Sequence, residues 1–326
     1  WVLAYALFFL IQRPVDFGDF TASYYPLVFF LASALVVFAT VRSGVQEGIE
    51  RISRFIIPLL FLLLLLLVAF SLAQPGAPAG ISFYLTPDLA YLSDPLVWAA
   101  AFGQAFFSLS VGMGILLTYG SYLERENLFR SATIIVVADI LIAILAGLMI
   151  FPLVFTYNLD PAAGVNLAFV TLPAVFGEIQ FGALLGALFF LMLFLAALTS
   201  AVSMLEVPVA TVIDSYGMPR KKATLLVCAI ILLLGLPSAL SYTALRLELF
   251  GVPFLDISDY AFGTLGLIVA GLIVSIVAGW FFEPARLFEE LGGSASLQRV
   301  YLILVRYCIP SVLLVTLIAR LSGITA

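Results

Sequence analysis

Residues 105–114 read AFFSLSVGMG, at the middle of Val97–Tyr119, a stretch otherwise apolar enough to cross a membrane. In hydrocarbon a backbone leaves the helix only where protein or a water-filled cavity takes up its freed N–H and C=O groups. Ser108, Ser110, Gly112 and Gly114 in mid-span therefore need a reason. One reading is close helix packing, since small residues let neighbouring helices approach. Such a seam repeats every three or four residues, whereas these four alternate and cover every side of a helix. The alternation favours an unwound segment. Gln104, one turn earlier, adds an amide that also needs partners at membrane depth.

Composition sets the class around this stretch. With 64% hydrophobic and 10% charged residues, the chain cannot cover a soluble globule with polar surface. It reads as an all-α polytopic membrane protein. Windows of the roughly 20 apolar residues that one crossing needs fall near 23–41, 55–74, 97–119, 132–156, 181–213, 223–241, 261–282 and 300–319. Trp1–Ile11 reads as the tail of a further span, so the sequence is expected to be an N-terminally truncated piece.

With loop 42–54 placed in the cytoplasm, Arg42, Arg51, Arg54, Arg125, Arg130, Arg220, Lys221, Lys222, Arg286 and Arg299 fall inside. Arg13, Arg246 and Arg320 fall outside, and Arg306 lies within a span. The excess of inward cations sets that orientation, whereas the net charge of −5 does not enter it. Cys228 and Cys308 lie in apolar spans and read as small packing residues. The absence of histidine excludes imidazole chemistry from this chain.

Other polar residues interrupt the spans. In 196–206, AALTSAVSMLE, Thr199, Ser200 and Ser203 suit bonding back to the carbonyl four residues earlier. Glu206 is different, because a carboxylate inside a span costs several kcal/mol unless paired or protonated, and intramembrane acids are functional candidates by default. Asp139 is another. Around IERISRFII, Gly48 and Pro58 weaken the start of a crossing, since proline removes a helical hydrogen bond. An ordinary amphipathic lead-in is the other reading of that segment.

Together these stretches resemble the neurotransmitter:sodium symporter family, in its branch of bacterial sodium-dependent amino-acid transporters. The matching segments are GIERISRFIIP at 48–58, GQAFFSLSVGMG at 103–114, TYGSY at 118–122, NLAFVTLPAVF at 166–176, LTSAVSMLE at 198–206 and LDISDYAFGT at 255–264, in family order. The resemblance implies a fold of two inverted five-helix repeats with a broken sixth helix. It reads 1–326 as a single transmembrane transport domain. In it, 1–74 would be the end of the first repeat, from late third to fifth helix, 96–282 the second repeat, and 300–319 the eleventh helix. The first two helices and most of the third would lie outside the sequence.

The resemblance also implies a function, sodium-coupled symport of amino acids, expected to be hydrophobic L-amino acids, by alternating access. In the substrate pocket it places Phe107, Ser108, Ser110, Met113, Ser200 and Met204. Ser108 and Asp139 match the first sodium site, and Ala196 by its carbonyl with Thr199 and Ser200 by their hydroxyls match the second. Asp259 and Asp214 match the outer and inner gate acids, and Gly48 with Pro58 a segment of helix that unwinds. Animal members carry asparagine at the position matching Asp139 and use chloride, so no chloride is expected here. The expected setting is a prokaryotic plasma membrane, with an amino-acid substrate and the bilayer as partners and no nucleic acid. Two rivals differ in class. An intramembrane enzyme would use Ser108 or Ser110 as nucleophile, or Asp139 with Asp214 as an acid pair, yet no histidine is present to act as base. An ion channel would show current far above carrier flux.

Overall fold

The computed structural model describes residues 1–123, 128–160, 167–179, 181–284, 288 and 295–322. Arg125, Asn166 and Arg286, used above for orientation and for the family segments, lie outside the described residues. Among the described residues the regular structure is helical apart from one two-stranded ribbon, β1 (Glu248–Leu249) with β2 (Val252–Pro253). Seven helices among the described residues are long and apolar enough to cross a membrane: Tyr25–Arg42, Val45–Leu72, Leu128–Thr156, Gly182–Tyr216, Arg220–Leu240, Phe254–Phe281 and Gln298–Leu321. The eighth expected span, 97–119, is not one helix but two pieces with an irregular segment between them.

The chain forms two compact units. The first comprises Trp1–Thr86 and Ala143–Asp256. It contains α1 (Val2–Leu10), α2 (Phe17–Ala22), α3 (Tyr25–Arg42), α4 (Arg51–Leu72) and α5 (Ala77–Leu85). The second comprises Pro87–Ile142 and Ile257–Ala326. It contains α6 (Pro95–Ser108) and α7 (Ile115–Gly120). The helix α8 (Leu128–Thr156) supplies residues to both. In the first unit follow α9 (Leu172–Glu178), α10 (Gly182–Tyr216) and α11 (Arg220–Leu240). The turn α12 (Phe254–Ser258) leads into the second unit's α13 (Leu267–Ile276), α14 (Ala295–Ile303) and α15 (Ile309–Leu321).

The first unit is centred on α10. Gly186 lets α1 come close, with Phe9 packed directly over it, while Gly182 lies against the Phe176 carbonyl of α9. Phe9 stacks on Phe190 with centroids 5.7 Å apart, and Tyr5 and Phe20 are fully buried beside them. Small residues on one helix facing aromatics on another give such contact in lipid, where dispersion replaces the hydrophobic effect between helices. Outward faces stay apolar: only 11% of the most apolar window of α8 is buried. A surface of that kind is a membrane-facing one.

Gly48 lies in a π-helical turn, Val45–Glu50, that leads into α4. It stands so near the Thr40 carbonyl that a Cβ would collide with backbone. Pro58 lies inside α4, and the helix is wound through both positions.

The intramembrane Glu206 is accounted for by packing. It is fully buried, and Arg220 grips it with both ends of the guanidinium, Nη1 to Oε1 at 3.0 Å and Nη2 to Oε2 at 2.5 Å. Arg220 Nε donates to the carbonyl of Val41 at 2.9 Å, so one side chain ties α10, α11 and the end of α3 together. This is the bidentate geometry a buried carboxylate needs. The pair gives the buried acid a structural role.

Candidate functional site

In the second unit, α6 stops at Ser108 because the next residues take left-handed backbone angles. Ser110 has φ +55°, Gly112 +90° and Gly114 +78°. For Ser110 that conformation is uncommon and costs energy, which places local strain at the break. Gly112 has a second reason to be glycine, since a Cβ there would lie 2.9 Å from the Gly271 nitrogen and 3.1 Å from the Leu267 carbonyl of α13. The break is thus pressed against α13. Among the described residues no backbone N–H donates to the carbonyls of Ser108 or Leu109. These carbonyls end α6, where the helix dipole is negative.

Asp139 of α8 meets that end. Ser108 Oγ donates to Asp139 Oδ1 at 2.5 Å, 31 residues apart in sequence. A short, charge-assisted bond of this kind holds hydroxyl and carboxylate oxygens side by side. Together with the unpaired carbonyls it is a cluster of hard oxygen donors under negative potential, suited to an alkali or alkaline-earth cation. Among the described residues no group of three or more His, Cys, Asp or Glu side chains comes together to hold a metal ion. Carbonyl and hydroxyl oxygens would have to supply most of such a coordination shell.

Phe107, more than half exposed, lines a cavity of about 700 Å³ with Gln104, Gly263, Thr264, Thr316 and Arg320. Ser110 and Met113 lie in the break itself and are partly buried. Asp259 is exposed at the first position of the π-helical turn Asp259–Gly266.

In the first unit, Thr199 Oγ1 donates to the Ala196 carbonyl at 2.8 Å, and Ser203 Oγ to the Thr199 carbonyl at 3.1 Å. Of the back-bonding to a carbonyl four residues earlier, Ser203 shows it, whereas Thr199 reaches only three residues back, which brings the Ala196 and Thr199 oxygens together. Ser200 is exposed beside them. Met204 is half exposed and borders an apolar groove of about 340 Å³ with Phe30, Val37 and Cys228. Asp214 is exposed in the last turn of α10. At the other end of α11, Tyr242 donates to the Asp256 carboxylate, at 2.7 Å from one oxygen and 2.8 Å from the other. Burial first, then that carboxylate, pushes the Tyr242 hydroxyl up to about 12, so it remains a donor at neutral pH. Neither the Tyr242–Asp256 pair nor the role of Arg220 is announced by local sequence, because each pair is 14 residues apart across a helix end.

Comparison with known proteins bears on what this arrangement serves. A solved structure of MhsT in complex with L-phenylalanine superposes with a TM-score of 0.87 at 35% sequence identity, covering 98% of this chain and 76% of that one. An uncharacterized sodium-dependent transporter of Bacillus subtilis (strain 168) is 37% identical over 304 residues, 91% of this chain and 66% of the relative. Sodium-dependent nutrient amino acid transporter 1 of Drosophila erecta is 30% identical over 219 residues, 63% of this chain and 34% of the relative. The chain spans just under two thirds of the bacterial relative's length. The sequence profile of the sodium:neurotransmitter symporter family matches residues 11–325. An integral membrane fold with its helix broken at 109–114, matched by that profile over nearly its whole length, makes this chain a member of the sodium:neurotransmitter symporter family, a family of secondary transporters and not of enzymes.

Proposed function

We propose that the protein to which this chain belongs carries hydrophobic L-amino acids across the cell membrane together with sodium, by alternating access. The observation that carries the reading is the Ser108–Asp139 contact at the carbonyl-rich end of α6. Sodium there would be held by the Ser108 hydroxyl and carbonyl and by Asp139, and its charge would be offset by the carboxylate. A second sodium would take the Ala196 carbonyl and the Thr199 and Ser200 hydroxyls, the first two of which are already adjacent. Ligand exchange at that site is simple in physical terms, since Thr199 Oγ1 only has to turn from a carbonyl to a cation of the same preference for oxygen.

By the family resemblance, the substrate-binding residues would be Phe107, Ser108, Ser110, Met113, Ser200 and Met204. The L-phenylalanine bound to MhsT supports an aromatic or aliphatic amino acid as cargo. Asp259 and Asp214 act as outer and inner gates, and Gly48 with Pro58 as the place where the inner end of the Val45–Leu72 helix opens. On this reading residues 1–326 form one transport domain, loop 42–54 is cytoplasmic, and chloride is not needed because Asp139 brings its own charge.

The test is sodium-dependent binding of L-phenylalanine to the complete protein. Ser108→Ala and Asp139→Ala each remove one oxygen ligand. Each should raise the sodium concentration needed for half-maximal binding by about tenfold or more, since one hydrogen-bonding or ion-ligating group to a charge is worth roughly 1.5–3 kcal/mol. Unchanged sodium dependence in both variants would remove Ser108 and Asp139 from the site.

A further inference from the structure

Arg306 is a charged residue in the N-terminal part of a membrane-crossing helix, Gln298–Leu321, and nothing in the transport site uses it. Its surroundings are unusual. Two π-helical turns face one another, Val277–Phe281 following α13 and Leu304–Cys308 between α14 and α15. Gly279 lies in the last turn of its helix, where the final carbonyls have no intrahelical donor. Arg306 Nε donates to the carbonyl of Gly279 at 2.5 Å. Its guanidinium carbon lies 5.7 Å from the centroid of the Trp280 ring, and Trp280 meets Tyr307 edge-on with centroids 5.7 Å apart. Ser275 Oγ bonds the Val305 carbonyl at 2.8 Å, which fixes the two helices against each other at the same level.

Trp280 and Tyr307 are each 56% exposed, so the aromatic pair faces outward. Among the described residues Arg306 makes no ion pair with a carboxylate, and its two Nη groups have no hydrogen-bond partner. The Gly279 carbonyl and the Trp280 face hold the guanidinium plane in place, and four N–H donors remain. Trp280 lies in the last turn of its helix, where a tryptophan marks the boundary between hydrocarbon and headgroups. An ordered guanidinium with free donors, at that depth, complements an anionic phosphate diester in both charge and geometry.

We propose that Arg306, Trp280 and Tyr307 form a binding site for the phosphate of an anionic phospholipid in the leaflet at the C-terminal end of the Phe254–Phe281 helix. The phosphate oxygens accept from the Arg306 Nη groups, the Tyr307 hydroxyl is available to the headgroup, and the acyl chains run along the exposed apolar faces of the two helices. The assignment does not depend on which leaflet is cytoplasmic, nor on the transport reaction. It is stated for a lipid and not for a soluble anion because the aromatic pair stands at the membrane boundary on an outward face.

The test uses the full chain, purified and placed in lipid nanodiscs of phosphatidylglycerol and phosphatidylcholine. Lipid retained by the protein is counted by native mass spectrometry. The unsubstituted protein should retain phosphatidylglycerol preferentially by about fivefold, the amount one basic residue near a headgroup confers. Arg306→Gln should abolish the preference. Arg306→Lys should keep part of it, because lysine retains the charge and loses the fork. Lys222→Gln, an exposed cation elsewhere, should leave it unchanged. If the Arg306 variants do not fold, a phosphatidylglycerol with a photoactivatable headgroup must label the segment 277–308 of the unsubstituted protein, and labelling only elsewhere overturns the site. Equal preference in the unsubstituted protein and in Arg306→Gln overturns it too. Displacement of the bound lipid by excess inorganic phosphate would assign the donors to a soluble anion and overturn the lipid assignment.

Discussion

Replacing Arg220 by methionine isolates the cost of one buried charge. Glu206 is fully buried, and Arg220 meets both its oxygens while a third bond runs to Val41. Arg220→Met keeps much of the side-chain volume but leaves the carboxylate in its site without its guanidinium. Breaking a buried ion pair from one side costs about 3–5 kcal/mol. The Arg220 side chain is 23% exposed, so water reaches it and the lower end of that range applies, about 3 kcal/mol or a factor above 100 in the unfolding constant. The double variant Glu206→Met with Arg220→Met removes both charges together and should recover most of the loss, because apolar replacement of a buried pair is close to neutral. The assay is reversible unfolding of the complete protein in mixed detergent micelles, with Lys222→Met as the exposed reference. A loss for Arg220→Met no larger than that of an exposed substitution, about 0.5 kcal/mol, would refute the reasoning. So would a double variant as unstable as the single one.

The remaining predictions concern ions. Thr199→Ala with Ser200→Ala removes two hydroxyl ligands of the second sodium site, and should abolish sodium-dependent uptake while leaving membrane insertion and folding intact; unchanged sodium dependence would end that assignment. On the proposal that Asp139 supplies the negative charge beside sodium, uptake should be equal in chloride and gluconate buffers. Asp139→Asn should lose activity or acquire a chloride requirement, and an unmodified protein that stops when chloride is replaced would remove that role from Asp139.

Much of the fold was legible because hydropathy is a property of composition. Seven of the eight expected crossings are continuous helices, and the eighth breaks where alternating Ser108, Ser110, Gly112 and Gly114 said it should. Left-handed angles at Ser110, Gly112 and Gly114 are the physical form of that signal. The Ser108–Asp139 pairing was reachable only through the family resemblance, since 31 residues and a helix reversal separate the two. Glu206 stood out in the sequence through the cost of a buried charge, but its partner Arg220, 14 residues on in the next helix, did not. The π-turns were not legible at all. The Gly279 carbonyl that receives Arg306 is open because its helix ends two residues later, a boundary that apolar composition does not mark.

The central claim is that transport is driven by sodium through oxygen ligands at the break in α6. The most direct measurement is uptake of radiolabelled L-phenylalanine by the complete protein in sealed proteoliposomes with an inward sodium gradient, compared with an equal potassium gradient and with Asp139→Ala. The account predicts accumulation above equilibrium with sodium, collapse when the gradient is dissipated, and none with potassium or in the variant. Accumulation that is the same with either cation, or undiminished in Asp139→Ala, would contradict it.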